Sequence, residues 1–172
     1  DKLDLGVHTV KVLKITEAGG NDMNFYGART DGYFVPVNKE PKLKMEVYGD
    51  SITAGYGNLR GNAADGTNAT IQDGMQTYAT YAAASLDADI NVLAKSGIGL
   101  YTSANVDDLL QVNTGYKYVN YDQKYQWNLN NYIPDIVIIN LGTNDHWNSS
   151  VFNPTTYVNE YVSLIKNLLY WK

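Results

Sequence analysis

The sequence predicts an α/β protein built on a three-layer parallel sheet of flavodoxin-like order, and three observations carry that expectation. Along residues 43–171, stretches of strand character alternate with stretches of helical spacing, the order in which βαβ units are laid down. Ile136-Val137-Ile138-Ile139-Asn140-Leu141 is a nearly unbroken β-branched run, which suits a parallel strand buried on both faces. Finally, a cluster rich in Gly, Ser or Asn follows each of three candidate strands, where open α/β sheets carry their ligand crevice.

The elements follow in order. Residues 7–15 alternate loosely (Val7, Thr9, Lys11, Leu13, Ile15), Gly19-Gly20-Asn21-Asp22 is a turn cluster, and residues 25–37 alternate again around Gly27 and Gly32. A β-hairpin is expected over residues 1–37, too small to hold a core alone. The stretch 36–42, with two prolines and three charges, reads as a linker to an α/β domain over 43–172. Leu43 to Tyr48 is a short strand running into Gly49-Asp50-Ser51. Residues 76–86 carry Tyr78, Tyr81, Ala82 and Leu86 at helical spacing, and 89–93 read as the second strand. A short helix is expected over 107–112, then a Tyr/Asn-rich irregular stretch to Tyr132. After the β-branched run, Asn153-Pro154 starts a helix over 155–171, with Tyr157, Tyr161, Leu164, Ile165 and Leu168 on one side. The β-branched run is expected at a sheet edge. An open apolar edge invites pairing, so it should drive self-association or be covered by the last helix.

Composition narrows the chemistry. The 172 residues carry 18 acidic against 13 basic side chains, a net charge of −5 that argues against nucleic-acid or anionic-membrane partners. No apolar run is long enough to span a bilayer, and Asp1-Lys2-Leu3-Asp4 is no signal peptide. The absence of cysteine removes disulfides, thiol catalysis and Cys-ligated zinc. Asp65, Asp73, Asp87 and Asp89 lack the spacing of a calcium loop, and Gly55-Tyr56-Gly57 is not followed by the Lys of a phosphate loop. No metal or cofactor is therefore expected. His8, on the expected hairpin, and His146 are the only side chains that ordinarily titrate near neutrality. The 15 tyrosines offer flat faces with polar edges, suited to sugar rings or protein partners.

The three clusters are Gly49-Asp50-Ser51-Ile52-Thr53-Ala54-Gly55, Ser96-Gly97-Ile98-Gly99 and Gly142-Thr143-Asn144-Asp145. A serine at a strand-to-helix turn can present its hydroxyl to an acyl carbon beside the positive end of the helix. The N–H groups of Ser51 and Gly97, with the Asn144 amide, would donate to a tetrahedral oxyanion. One such donor is worth about 3 kcal/mol of barrier. Asp50 and Asp145 are expected to brace the turns. Trp147, beside the crevice, and Trp127 are candidate sugar-stacking residues, with Asp50 as a further substrate contact. His146, two residues beyond Asn144, is the candidate substitute base for Ser51.

These blocks resemble the SGNH/GDSL hydrolases, and carbohydrate esterase family 2 (acetylxylan-type esterases) in particular. The likeness rests on residues 47–57 (Val-Tyr-Gly-Asp-Ser-Ile-Thr-Ala-Gly-Tyr-Gly), 94–100 (Ala-Lys-Ser-Gly-Ile-Gly-Leu) and 134–145, ending Gly-Thr-Asn-Asp. The resemblance implies that Ser51 is the nucleophile and that Gly97 and Asn144 complete the oxyanion hole. It makes the N-terminal hairpin the remnant of a β-sandwich. It also implies a histidine block near the end of the domain, and no histidine follows His146 here, so the chain reads as a shortened form or a fragment. The implied activity is release of acetyl groups from plant-wall polysaccharide or oligosaccharide, outside the cell, as a possible homo-oligomer or with a complementing C-terminal fragment. The alternatives are a catalytically impaired carbohydrate-binding fragment and a GDSL lipase or thioesterase.

Overall fold

The computed structural model describes residues 4–17, 23–37, 43–60, 68–104, 111–119, 124–147 and 149–170. Its centre is a three-stranded parallel sheet in the order β2-β1-β3, formed by β1 (Leu43–Gly49), β2 (Ala88–Ala94) and β3 (Ile136–Asn140). The first strand in the chain is thus the middle strand in space. Met45 pairs with Ile90 on one side and Ile136 on the other, and Val47 with Val92 and Ile138. The parallel sheet expected from the sequence is present.

Strand periodicity sends alternate residues to opposite faces, and each face is covered. On one face Met45 and Val47, with Ile136 and Ile138 against them, pack on Ala79 and Ala83 of helix α3 (Tyr78–Ser85). On the other, Tyr48 joins Ile98, Leu100, Val112, Tyr116, Leu164 and Leu168, with Val137 and Ile139 packed alongside. Leu164 and Leu168 belong to helix α6 (Pro154–Tyr170). The run is apolar at four successive positions, Ile136 to Ile139, because β3 feeds both cores.

The helices come with their own starting signals. Thr77 and Thr80 form a capping box ahead of α3. Asn153 accepts from Thr156 N–H at 3.0 Å and Pro154 occupies the first helical position of α6. Tyr157, Tyr161, Leu164 and Leu168 face the sheet as expected, with Ile165 at the rim. In α3 the buried face differs from the expected one. Ala79 and Ala83 are buried while Tyr81 and Leu86 are exposed, because the small alanine side chains let the helix lie close on the sheet.

Other expectations need correction. No strand occurs among described residues 4–17 and 23–37, where Leu5, Val7, Phe25, Tyr33 and Phe34 are exposed. A hairpin needs a second layer to bury its alternate side chains, and here the alternation meets none. His8 is accordingly not on a strand; its Nε2 lies 2.7 Å from the Asp4 carbonyl. The turn cluster 19–22, most of the linker 36–42, residues 107–110 of the expected short helix and Trp171 lie outside the described residues. A helical turn α4 (Val112–Gly115) begins where that short helix was expected to end.

The edge position of β3 is as expected, and α6 leans over it. Tyr161 donates its hydroxyl to the Ile139 carbonyl at 3.0 Å, and Tyr157 donates to the Leu141 carbonyl at 2.8 Å. Residues two apart in a strand turn their carbonyls the same way, so the two tyrosines occupy successive acceptors along one side. Burial pushes both phenols above their ordinary pKa, which keeps them protonated as donors. Among the described residues no helix is long and apolar enough to cross a membrane.

Candidate active site

The three polar clusters meet at the carboxyl ends of β1, β2 and β3. β1 runs into helix α1 (Ser51–Ala54) through an abrupt turn at Gly49. A Cβ on Gly49 would sit 2.4 Å from the Cβ of Thr53 and closer still to its hydroxyl, so only glycine lets the helix fold back on the strand. Asp50, 2% exposed, caps α1 by accepting from Ile52 N–H at 2.9 Å. Burial raises its pKa; the bond from Ile52 works against that, and the nearby Asp145 charge adds to it. Asp50 therefore braces the turn, and its inward, capping carboxylate does not fit the substrate contact also expected of it. Ser51 opens the helix, half-buried, while Thr53 is buried with its hydroxyl 2.7 Å from that of Tyr78.

Beyond β2, Lys95 N–H still reaches the Gly49 carbonyl at 3.3 Å, tying the second cluster to the first. The chain then turns at Ser96 and Gly97, the latter at φ +82°. The third cluster holds the second from the other side. Helix α5 (Thr143–Trp147) points Asn144 Nδ2 at the Ile98 carbonyl, 2.8 Å away. Asp145 is wholly buried. Its Oδ2 accepts from Leu100 N–H at 2.8 Å, and its Oδ1 from Tyr101 and Thr102 N–H at 3.0 and 3.1 Å. The expected brace is a carboxylate nested in a loop of backbone donors.

This stitching leaves a specific set of groups unengaged. Among the described residues neither the Ser51 nor the Gly97 N–H has an acceptor, and no group bonds the Ser51 hydroxyl. Asn144 spends one amide hydrogen on Ile98 and keeps the second. A hydroxyl and three spare donors at strand ends are what acyl transfer needs for attack and for holding the oxyanion.

The remaining candidates lie on α5 and on the segment ahead of β3. His146 is exposed, with its ring edge-on to Phe152 at 5.2 Å, and makes no hydrogen bond to Ser51. It is two residues from Asn144, and helix positions i and i+2 do not face one another. Trp147, three residues from Asn144, does share its side of α5 and is 77% exposed. Trp127 is half-buried on the segment ahead of β3, where Tyr118 and Gln126 form an isolated antiparallel bridge. Among the described residues no three or more His, Asp and Glu side chains are grouped so as to hold a metal ion. Sequence reasoning missed Gln72, wholly buried, whose Nε2 donates to the Ala54 carbonyl at the end of α1 at 2.8 Å. It also missed Glu17, whose carboxylate receives the Ser96 N–H. Neither has a local pattern that would mark it.

The sequence matches the GDSL-like lipase/acylhydrolase family over residues 47–169. It is 31% identical over 164 residues to the cellulase/esterase CelE of Acetivibrio thermocellus, covering 95% of this chain and 20% of that protein. It is 28% identical over 172 residues to an acetylxylan esterase/glucomannan deacetylase of Cellvibrio japonicus, covering 95% of this chain and 46% of that protein. Among solved structures, a family two carbohydrate esterase of Cellvibrio japonicus superposes with a TM-score of 0.71 at 31% identity, covering 79% of this chain and 41% of that one. A family two carbohydrate esterase of Clostridium thermocellum in complex with cellohexaose superposes with a TM-score of 0.72 at 31% identity, covering 81% and 42%. The chain thus spans from a fifth to about half the length of these relatives.

Proposed function

Because the chain belongs to the GDSL-like lipase/acylhydrolase family, we propose that it is a serine esterase that removes acetyl groups from plant-wall polysaccharide or oligosaccharide of the xylan type. The observation that carries this reading is the unengaged Ser51 hydroxyl at the head of α1, with the spare donors of Ser51, Gly97 and Asn144 following the carboxyl ends of the three adjacent strands. The acetylated-carbohydrate substrate is supported by the family two carbohydrate esterases among its structural neighbours. Such a substrate lies outside the cell, and so would the enzyme.

In the proposed mechanism the Ser51 oxygen adds to the acetyl carbonyl carbon and passes its proton to a base. The carbonyl oxygen, now negative, is held by the N–H groups of Ser51 and Gly97 and by the free hydrogen of the Asn144 amide. The tetrahedral centre collapses, the sugar oxygen leaves with a proton, and water then releases acetate from the acyl-serine. The base is the part these contacts do not supply. His146 would have to leave Phe152 to reach Ser51; a histidine on a complementing polypeptide is the other source. An intact oxyanion hole without a base retains on the order of 10³-fold catalysis over water.

A second reading is favoured by one observation. Trp147 presents an open ring on the same side of α5 as Asn144, a stacking platform that binds sugar whether or not Ser51 turns over. Release of acetate from a small activated acetyl ester separates the two. A rate that disappears in Ser51→Ala supports the esterase, and its further loss in His146→Ala assigns the base. Equal rates in wild type and Ser51→Ala, with cello- or xylo-oligosaccharide binding that Trp147→Ala abolishes, would establish the binding reading instead.

A further inference from the structure

The strand-end cluster is tied to a short stretch of chain far upstream of the family match. Ile15 accepts from Gly74 N–H at 2.7 Å, and Glu17 N–H donates to Gln72 Oε1 at 3.2 Å. Gln72 passes this tie on, through its bond to the Ala54 carbonyl, to the helix that Ser51 opens. Glu17 Oε2 meanwhile accepts from Ser96 N–H at 2.5 Å. Lys14 Nζ holds the segment in shape through the Thr16 and Glu17 carbonyls, at 2.5 and 2.9 Å.

We propose that Glu17 is a positioning residue of the oxyanion hole: its carboxylate fixes the Ser96–Gly97 turn that presents the Gly97 N–H to the acyl group. The inference rests on the esterase reading above. Lys95 N–H is the last tie from β2 to β1, so the Ser96 N–H is the first donor past the sheet and has no strand to receive it. A charge-assisted bond supplies the missing acceptor, and such bonds are short and about twice as strong as neutral ones. The turn's other ties are longer, Ile98 N–H to Lys95 at 3.3 Å and Ala104 N–H to Gly97 at 3.1 Å. Gly97 lies at φ +82°, a conformation reached easily and lost as easily. One tripeptide therefore holds both the nucleophile's helix, through Gln72, and the donor turn, through Ser96.

A donor that acts only on the transition state affects kcat and leaves KM nearly alone. On the full chain, Glu17→Ala should lower kcat for acetyl-ester hydrolysis about tenfold with KM within about twofold. Glu17→Gln, which still offers an oxygen to Ser96, should recover most of that loss. Amide hydrogen exchange by NMR should show Ser96 and Gly97 opening selectively in Glu17→Ala. Unchanged exchange at Ser96, a kept kcat, a Gln variant no better than the Ala variant, or faster exchange throughout the chain would each overturn the assignment. A wild type with no Ser51-dependent rate would sink the esterase reading instead, and the Ser96 and Gly97 amides would then still decide whether Glu17 holds the turn.

Discussion

Asp145→Asn tests the loop that joins the second and third clusters. In the native site one carboxylate oxygen receives Leu100 N–H and the other receives Tyr101 and Thr102 N–H. An asparagine has a single oxygen. Its best placement keeps the Tyr101 and Thr102 bonds and turns its NH₂ toward Leu100 N–H, donor against donor where 2.8 Å now separates donor from acceptor. Leu100 is wholly buried, so water cannot make up the loss. One charge-assisted bond disappears and one buried N–H is stranded, at a cost of about 2–3 kcal/mol. For a chain of this length that corresponds to a melting temperature lower by about 5–10 °C. Differential scanning calorimetry and urea unfolding, monitored by tryptophan fluorescence, should agree on the size of the effect. A variant melting within a degree or two of wild type would refute the view that the Asp145 nest holds the loop.

Two further outcomes are expected. Tyr157→Phe/Tyr161→Phe leaves the packing of α6 in place but frees the Ile139 and Leu141 carbonyls; it should cost about 2 kcal/mol and raise the apparent mass in light scattering as the β3 edge finds another strand, and a wild-type melting point with unchanged mass would count against it. Asp50→Asn keeps the helix cap while removing a group whose folded-state pKa is raised. The native state then holds that proton more tightly than the unfolded chain, so Asp50 favours folding below its ordinary value of 3.8 and loses that benefit as pH rises through the raised value. Urea titrations should therefore show wild type gaining on the Asn variant as pH falls toward 4, and a gap that widens toward neutral pH would reverse the sign of the argument.

The sheet was legible because its signals are local. A strand serving two cores must be apolar on both faces, and residues 136–139 show that pattern in the sequence. The site loops were legible because tight strand-to-helix turns demand glycine and capping side chains, as at Gly49 and Asp50. What escaped depends on partners distant in the chain. Glu17 meets Ser96 across 79 positions, and no periodicity announces such a bond. The N-terminal alternation at Val7 to Ile15 looked like a strand because pattern reports which side chains could share a face, not whether a second layer exists to receive them. Closeness in sequence likewise did not show that His146 lies edge-on to Phe152, two steps along α5 from Asn144.

The central place of β1 also sets an order of events. Met45 must find Ile90 across 45 residues and Ile136 across 91. Closing the longer loop directly costs only about 0.6 kcal/mol more than the shorter one, but non-local pairing is slow, and the nearer strand is available first. On a growing chain, β1, α3 and β2 can assemble as a crossover unit while residues 136–145 are still unmade. At that stage Leu100, Tyr101 and Thr102 have no Asp145 to receive them, and Ile98 has no Asn144. The turn that carries Ser51 can thus be shaped early, whereas the polar cradle around it closes in a single late step, when the third strand docks and brings its short helix with it.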